Sequence, residues 1–163
     1  MHYSEVDAIV ISEMNDQFLH YNGSQAYKTD AKNRVTVMSA WRPPQGETIY
    51  LMASKEEGVN IIKVLTAGAV QHRIQTFEKN VTEPKKLAKL KTRLKRVLRD
   101  SSINDQGKLQ IPRDLAAHTG IAPDSEVMLS AGHSHFEIWP KAKYEELFGT
   151  AAVPEEEDEF DAF

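Results

Sequence analysis

Two short polar segments of similar pattern lie 74 residues apart, and each leads into alternating apolar residues: DAKNRVTV begins at Asp30 and NDQGKLQI begins at Asn104. At this offset Asn33 aligns with Gly107 and Arg34 aligns with Lys108. The apolar residues that follow have the two-residue period of a half-buried strand. The repeat predicts a chain built from two copies of one small ββ(α)ββα unit.

The segments between the two turns are typical of short strands and helices. TIYLMAS and GVNIIKVL predict a hairpin that turns through SKEEG, because β-branched and aromatic residues dominate both. Residues 17–37 are interpreted as irregular structure that leads into a strand. The segment 66–81 predicts a helix. In the second copy PRDLAAHTG predicts a helix between Pro112 and Gly120, SEVMLSAG and HFEIW predict strands, and PKAKYEELF predicts a closing helix.

A basic amphipathic helix is predicted over residues 82–100, beginning near Pro84. Its apolar stripe consists of Leu87, Leu90, Leu94, Val97 and Leu98. Its basic residues are Lys85, Lys86, Lys89, Lys91, Arg93, Lys95, Arg96 and Arg99. They form either a solvated helix face or a second surface for DNA.

Composition excludes some functions and leaves others open. The 163 residues include no cysteine, so disulfides, thiolate metal sites and cysteine nucleophiles are excluded. The net charge of −4 is uneven, because the last ten residues, PEEEDEFDAF, hold six acids and the remaining chain is +2. The N-terminal sequence lacks the basic start of a signal peptide, and no apolar run is long enough to span a bilayer. We therefore expect a soluble cytoplasmic protein.

Each turn demands an unusual backbone. Gly107 adopts positive φ without steric cost, and Asn33 is among the residues that tolerate it best. Asp30 and Arg34 flank the first turn closely enough to form an ion pair or turn hydrogen bonds. The turns are either polar locks that hold two tight bends or loops that present basic side chains to an acidic ligand.

The pattern of Asp, variable residues, Asn or Gly, and then a base before a strand resembles the MraZ family of bacterial transcriptional regulators. The second copy supports this resemblance with DQGKLQIPRDLAAHTGI, VMLSAG and FEIWPKAKYEEL. The resemblance implies an α+β fold in which two AbrB-like swapped-hairpin β units form a pseudo-symmetric small barrel with flanking helices. It places the first repeat at 15–81, the basic helix at 82–100, the second repeat at 101–150 and an acidic disordered tail at 151–163.

The resemblance also implies a function. Members of this family bind repeated double-stranded DNA boxes upstream of the division and cell-wall genes as ring-shaped homo-oligomers, so a nucleoid-associated regulator, expected to be a repressor, is predicted. The residues expected to contact DNA are Lys32, Arg34, Gln106 and Lys108, and those expected to brace the loops are Asp30, Asn33, Asn104 and Gly107. Asn104 and Lys108 replace the Asp and Arg of the family pattern. Because lysine lacks the bidentate guanine contact of arginine, the second loop is expected to bind phosphate.

Other functions are weighed against this one. The rival is a ring-forming interaction or antitoxin-like protein whose DNA loops have weakened and whose acidic tail recruits a partner. The tail is otherwise a solubilising segment, or it folds back over the basic loops, or it binds a partner through Phe160 and Phe163. His133 and His135 lack a third ligand nearby, so no metal is expected. We also expect no enzyme activity, cofactor, membrane or small-molecule substrate, and we expect Trp41 and Trp139 in the core or at a subunit interface.

Overall fold

The structure is a computed structural model that describes residues 21–149. These residues form an α+β fold with a six-stranded antiparallel sheet, a two-stranded ribbon and four α-helices. The strands are β1 (Ser24–Lys28), β2 (Arg34–Thr36), β3 (Ile49–Glu56), β4 (Val59–Thr66), β5 (Leu98–Ser101), β6 (Lys108–Gln110), β7 (Glu126–Ala131) and β8 (Phe136–Pro140). The helices are α1 (Ala67–Asn80), α2 (Pro84–Val97), α3 (Arg113–Thr119) and α4 (Lys141–Phe148), with a 3-10 turn at Ser39–Trp41.

The strand order relates the two halves of the chain by an approximate two-fold axis. The large sheet runs β1-β7-β8-β4-β3-β5, and β2 pairs with β6 in the ribbon. The offset of 74 residues relates the starts of β1 and β5 (Ser24 and Leu98), of β2 and β6, and of α1 and α4. If each strand is replaced by its equivalent in the other half (β1 by β5, β3 by β7, β4 by β8, and the reverse), the same strand order results, read from the opposite edge of the sheet. Each half therefore gives its first strand to the hairpin of the other half.

The sheet separates two layers. Residues of one face, such as Ile62, Val64 and Ile138, belong to a buried cluster that includes Val35 and Leu109 of the ribbon. Side chains alternate along a strand, so Ile61, Leu65 and Trp139 lie on the other face, and all three are buried. There α4 contacts Trp139 through Tyr144 and Phe148, with ring centroids 5.4 and 5.6 Å apart. The ribbon and its loops thus lie on one side of the sheet, and α4 lies on the other.

Several local predictions are confirmed. The β3–β4 hairpin turns through Glu57 and Gly58, whose φ angles of 50° and 79° fit the tight turn that twisted hairpins favour. The segment 66–81 is α1, and the hydroxyl oxygen of Thr66 caps it by accepting a hydrogen bond from the Ala69 N–H. Helix α3 follows Pro112 and ends at Gly120, which has a left-handed φ of 78°.

One helix boundary was wrong and one strand was missed. The helix predicted over 82–100 ends at Val97, and Leu98 and Arg99 belong to β5, which pairs with β3. Tertiary strand pairing overrides helix propensity there. Residues 17–37, interpreted as irregular before a strand, contain β1, which sequence patterning missed because most of its side chains are exposed at the sheet edge. Residues 21–149 form no closed barrel. The acidic tail, 151–163, lies outside the described residues.

Candidate nucleic-acid interface

The first loop is organised around the carboxylate of Asp30. Its Oδ1 accepts hydrogen bonds from the backbone N–H groups of Lys32, at 3.0 Å, and Arg34, at 2.8 Å. Its Oδ2 accepts a hydrogen bond from Arg34 Nε at 2.8 Å, which is also an ion pair. Asn33 completes the bend with a φ of 58°. Both interactions considered from the sequence, the ion pair and the turn bonds, are therefore present.

The second loop repeats this backbone geometry without the charge. Asn104 Oδ1 accepts hydrogen bonds from the N–H groups of Gln106, at 3.0 Å, and Lys108, at 2.9 Å. Gly107 has a φ of 77°, which matches the left-handed conformation of Asn33. The equivalent backbone predicted for the two turns is confirmed. A side-chain oxygen four residues before the basic residue is enough to build the loop, whether the group is a carboxylate or an amide.

The ribbon holds the two loops against each other. Val35 lies opposite Leu109, and both are fully buried. The Val37 N–H donates to the Gly107 carbonyl oxygen at 2.8 Å, and the Ile111 N–H donates to the Asn33 carbonyl oxygen at 3.1 Å. Each loop is therefore bonded to the strand that follows the other loop, so a shift of one loop disturbs its neighbour.

The charges of the two loops meet at Asp30. Lys108 Nζ lies 3.5 Å from Asp30 Oδ2, so one carboxylate faces basic residues from both loops. The pKa of Asp30 is lowered to about 2, mainly because its carboxylate accepts the Arg34 N–H, and further through the Arg34 side chain and the Lys32 N–H, against partial desolvation. Asp30 therefore remains ionised at neutral pH.

The four side chains predicted to contact DNA differ in exposure. Lys32 and Gln106 are exposed at the tips of their loops. The side chains of Arg34 and Lys108 are 28% and 30% exposed and are drawn toward Asp30. The fold brings all four onto the same pair of loops, and two of them also take part in holding the loops.

Sequence reasoning missed two residues at this site. Arg42 Nε donates to the Val37 carbonyl oxygen at 2.7 Å, and its guanidinium lies over Gly107, where a Cβ atom would collide with it. Gln110 Nε2 donates to the carbonyl oxygen of Lys32 at 2.8 Å and thereby joins β6 to the first loop. The sequence signal for Arg42 was the glycine itself: a glycine permits close approach as well as positive φ.

Of the other residues singled out from the sequence, His135 and the two tryptophans lie in the interior and His133 is exposed. His135 is buried and its Nε2 lies 2.9 Å from Glu137 Oε2, while Trp139 Nε1 donates to Glu137 Oε1 at 3.0 Å. The pKa of Glu137 is lowered because these hydrogen bonds and the nearby positive charge outweigh its burial. Trp41 and Trp139 are each 2% exposed, so both lie in the core, as expected. Within residues 21–149 no group of three metal-ligating side chains occurs, and no helix there is long and apolar enough to cross a membrane.

Comparison with known proteins adds no family assignment. No protein-family model matches the chain, and no curated protein is significantly similar to it. The function is therefore argued from the loops, the ribbon and their charges.

Proposed function

We propose that this chain is a sequence-specific DNA-binding transcriptional regulator of the MraZ type that represses the division and cell-wall gene cluster. The observation that carries the proposal is the pair of loops at Asp30 and Asn104, which share one backbone geometry and are bonded side by side through the ribbon. A rigid pair of loops with basic side chains suits DNA recognition, because the side chains are positioned before binding.

The finer fold assignment belongs to this proposal. In it the ribbon and the sheet are the core of two AbrB-like swapped-hairpin units. The exchange of first strands supports this assignment, since β1 pairs with β7 of the other half and β5 pairs with β3. The approximate two-fold axis that relates the halves supports it as well. The two proposed units share the open six-stranded sheet and the ribbon.

In the proposed mechanism Arg34 reads a base and its neighbours fix the register. Asp30 holds Arg34 through Nε, so the two terminal nitrogens can meet N7 and O6 of guanine. Lys32 and Lys108 neutralise phosphates, and Gln106 bonds to phosphate or a base edge. Each neutralised phosphate lowers log K by about 0.9 per tenfold rise in salt. Since one protomer neutralises only a few phosphates, it binds weakly by itself.

Affinity in the cell then comes from assembly. Several subunits of a homo-oligomeric ring engage repeated promoter boxes together, and linkage of the sites raises the effective concentration. Box spacing should follow the spacing of subunits on the ring, and repression is steric. Cytoplasmic and nucleoid localisation follow from this proposal.

Arg34→Ala tests the proposal by fluorescence anisotropy. The duplex is the DNA upstream of the protein's own gene, compared with a scrambled duplex at two salt concentrations. We expect the protein to prefer the upstream duplex and Arg34→Ala to lose at least about fivefold of that preference, since a bidentate base contact contributes about 1–3 kcal/mol. Lys79→Ala removes an exposed base from α1 and should keep the preference. Equal, feeble binding of both duplexes by all three proteins would refute a sequence-reading function.

A second candidate function is favoured by the two ion pairs of Asp30. Arg34 and Lys108 both lie close to Asp30, which reduces the positive charge that the loops offer to DNA. This supports a ring-forming interaction or antitoxin-like protein with weakened DNA binding and a partner for its acidic tail. In the anisotropy experiment it predicts the feeble, sequence-independent result. Co-purification of a stable partner that is lost when the tail acids are replaced would then support it.

A further inference from the structure

Helix α2 has one side that packs against the protein and one that does not. On the packed side Leu94 is 7% exposed, and Lys91 Nζ lies 3.6 Å from Glu78 of α1. The other side, here called the basic face, is open to solvent. The basic face consists of Lys86, Lys89, Leu90, Arg93, Arg96 and Val97, which recur at helical spacing.

The basic face combines uncompensated charge with apolar surface. Within residues 21–149 the ion pair that α2 forms involves Lys91, so none of the four bases on the basic face has an acidic partner there. Between these bases Leu90 is half-buried, and Val97 is one of the exposed large apolar residues, at 39%. A DNA backbone would neutralise the bases but would leave the two apolar side chains uncovered. An acidic segment with apolar side chains would satisfy both.

The course of the chain brings such a segment to this side of the molecule. Helix α4 packs on β7 and β8 through Trp139, on the sheet face opposite the ribbon. The repeat relates α4 to α1, which contacts β4 and β3, and α2 packs against α1. Gly149 follows α4, so the chain leaves the described residues on the side of α2, and the loops lie on the other side of the sheet. Fourteen residues follow, which can extend about 46 Å at ~3.3 Å per residue.

We propose that the acidic segment 154–163 docks on the basic face of α2 in the same chain. Its six acids match the four bases in sign, and Phe160 and Phe163 provide apolar side chains for Leu90 and Val97. Docking neutralises a basic surface that would otherwise bind DNA without regard to sequence, and it leaves the loops open. This differs from the sequence-based hypothesis that the tail covers the loops.

Disulfide trapping in the intact chain tests the docking, because the protein has no native cysteine. Thr92→Cys, beside the bases of α2, is paired with Ala162→Cys, so that no residue of the proposed contact is removed. Gln71→Cys on α1 and Ala31→Cys on the first loop, both at exposed positions, are each paired with Ala162→Cys as controls. We expect the Thr92 pair to close at least about tenfold faster than either control and to yield a monomeric product. High salt should slow its closure.

Charge reversal tests whether the trapping depends on the basic face. Lys89→Glu combined with Arg93→Glu should abolish the advantage of the Thr92 pair. Lys28→Glu combined with Lys55→Glu makes the same charge change at exposed positions elsewhere and should preserve it. Equal rates for all pairs, faster closure at Ala31→Cys, or a dimeric product would each overturn the proposal. The proposal would also be overturned if Lys89→Glu combined with Arg93→Glu abolished binding of the scrambled duplex but left the trapping rate unchanged. That result would assign the basic face to DNA. None of these outcomes depends on the Arg34 result.

Discussion

The two loops have the same backbone but different charge. In the first, Asp30 receives two backbone N–H groups and also pairs with Arg34. In the second, Asn104 receives the two equivalent N–H groups and has no charge to offer Lys108, which turns toward Asp30 instead. The comparison teaches that a side-chain oxygen and a left-handed residue define the loop. The charge of the brace is not needed to form this backbone, and it decides where the basic side chains point.

The loops also differ in how they use their left-handed residue. Asn33 has a side chain and carries the first bend, whereas Gly107 leaves the space that the Arg42 guanidinium occupies. Arg42 comes from the first half of the chain, so the second loop has a guanidinium beside it although its own basic residue is a lysine. Substitutions at Gly107, Asn104 and Asp30, in order of decreasing effect, test how far the two loops are equivalent.

Gly107→Ala should have the largest effect, a loss of about 2 kcal/mol in the free energy of unfolding. About 1 kcal/mol comes from placing a Cβ at positive φ, and about as much comes from displacing Arg42 from its bond to the Val37 carbonyl. Denaturant unfolding measures it.

A double-mutant cycle isolates the Arg42 contribution. In an Arg42→Ala background Gly107→Ala should cost only the backbone part, about 1 kcal/mol less than in the parent. The matched change in the first loop, Asn33→Gly, should alter stability by no more than about 0.5 kcal/mol, since glycine adopts the same φ freely. If the costs of Gly107→Ala and Arg42→Ala simply add, the guanidinium does not depend on the glycine.

Asn104→Asp should make the second loop resemble the first. A carboxylate at this position can keep both N–H bonds and can attract Lys108 away from Asp30. Under the proposed function we expect affinity for any duplex to fall about threefold to tenfold. The slope of log K against the logarithm of the salt concentration should become shallower by up to about 0.9. The melting temperature should change little, because the charge is exposed. Unchanged affinity and salt dependence would mean that Lys108 does not contact phosphate.

The sequence predicted the parts of the site that depend on local chemistry. Positive φ at Asn33 and Gly107, the Asp30–Arg34 pair and the ends of α3 all follow from residue type and short spacing. It failed where distant segments meet. The polar segment SQAYK gave no sign that it forms β1, which pairs with β7 at the edge of the sheet. Leu98 fits the apolar stripe of the predicted helix, but it belongs to β5, which pairs with β3. Gly107 signals that some group approaches closely, but only the fold shows that this group is Arg42.

Asp30→Asn should have the smallest effect on the free energy of unfolding, and this effect should depend on pH. The pKa of Asp30 is lowered from 3.8 to about 2 in the folded protein, so its ionised form stabilises the fold above pH ~4. That stabilisation is lost as the pH falls from about 4 through about 2. Asp30→Asn keeps an oxygen for the two N–H groups, as Asn104 does, but cannot pair with Arg34 or Lys108. It should therefore be slightly less stable than the parent at pH 6.

The two proteins should become equally stable as the pH approaches 2. Urea unfolding at several pH values between 6 and 2 measures the difference, and Asp105→Asn, which removes an exposed acid from the second loop, is the matched control. A stability difference that stays constant over this range would mean that the charge of Asp30 does not stabilise the fold. The carboxylate of Asp30 and the amide of Asn104 would then brace their loops equally well. A difference that disappears with acid would instead show that the charge of Asp30 stabilises the loop, through the Arg34 and Lys32 N–H groups that its carboxylate accepts and through its pairing with Arg34.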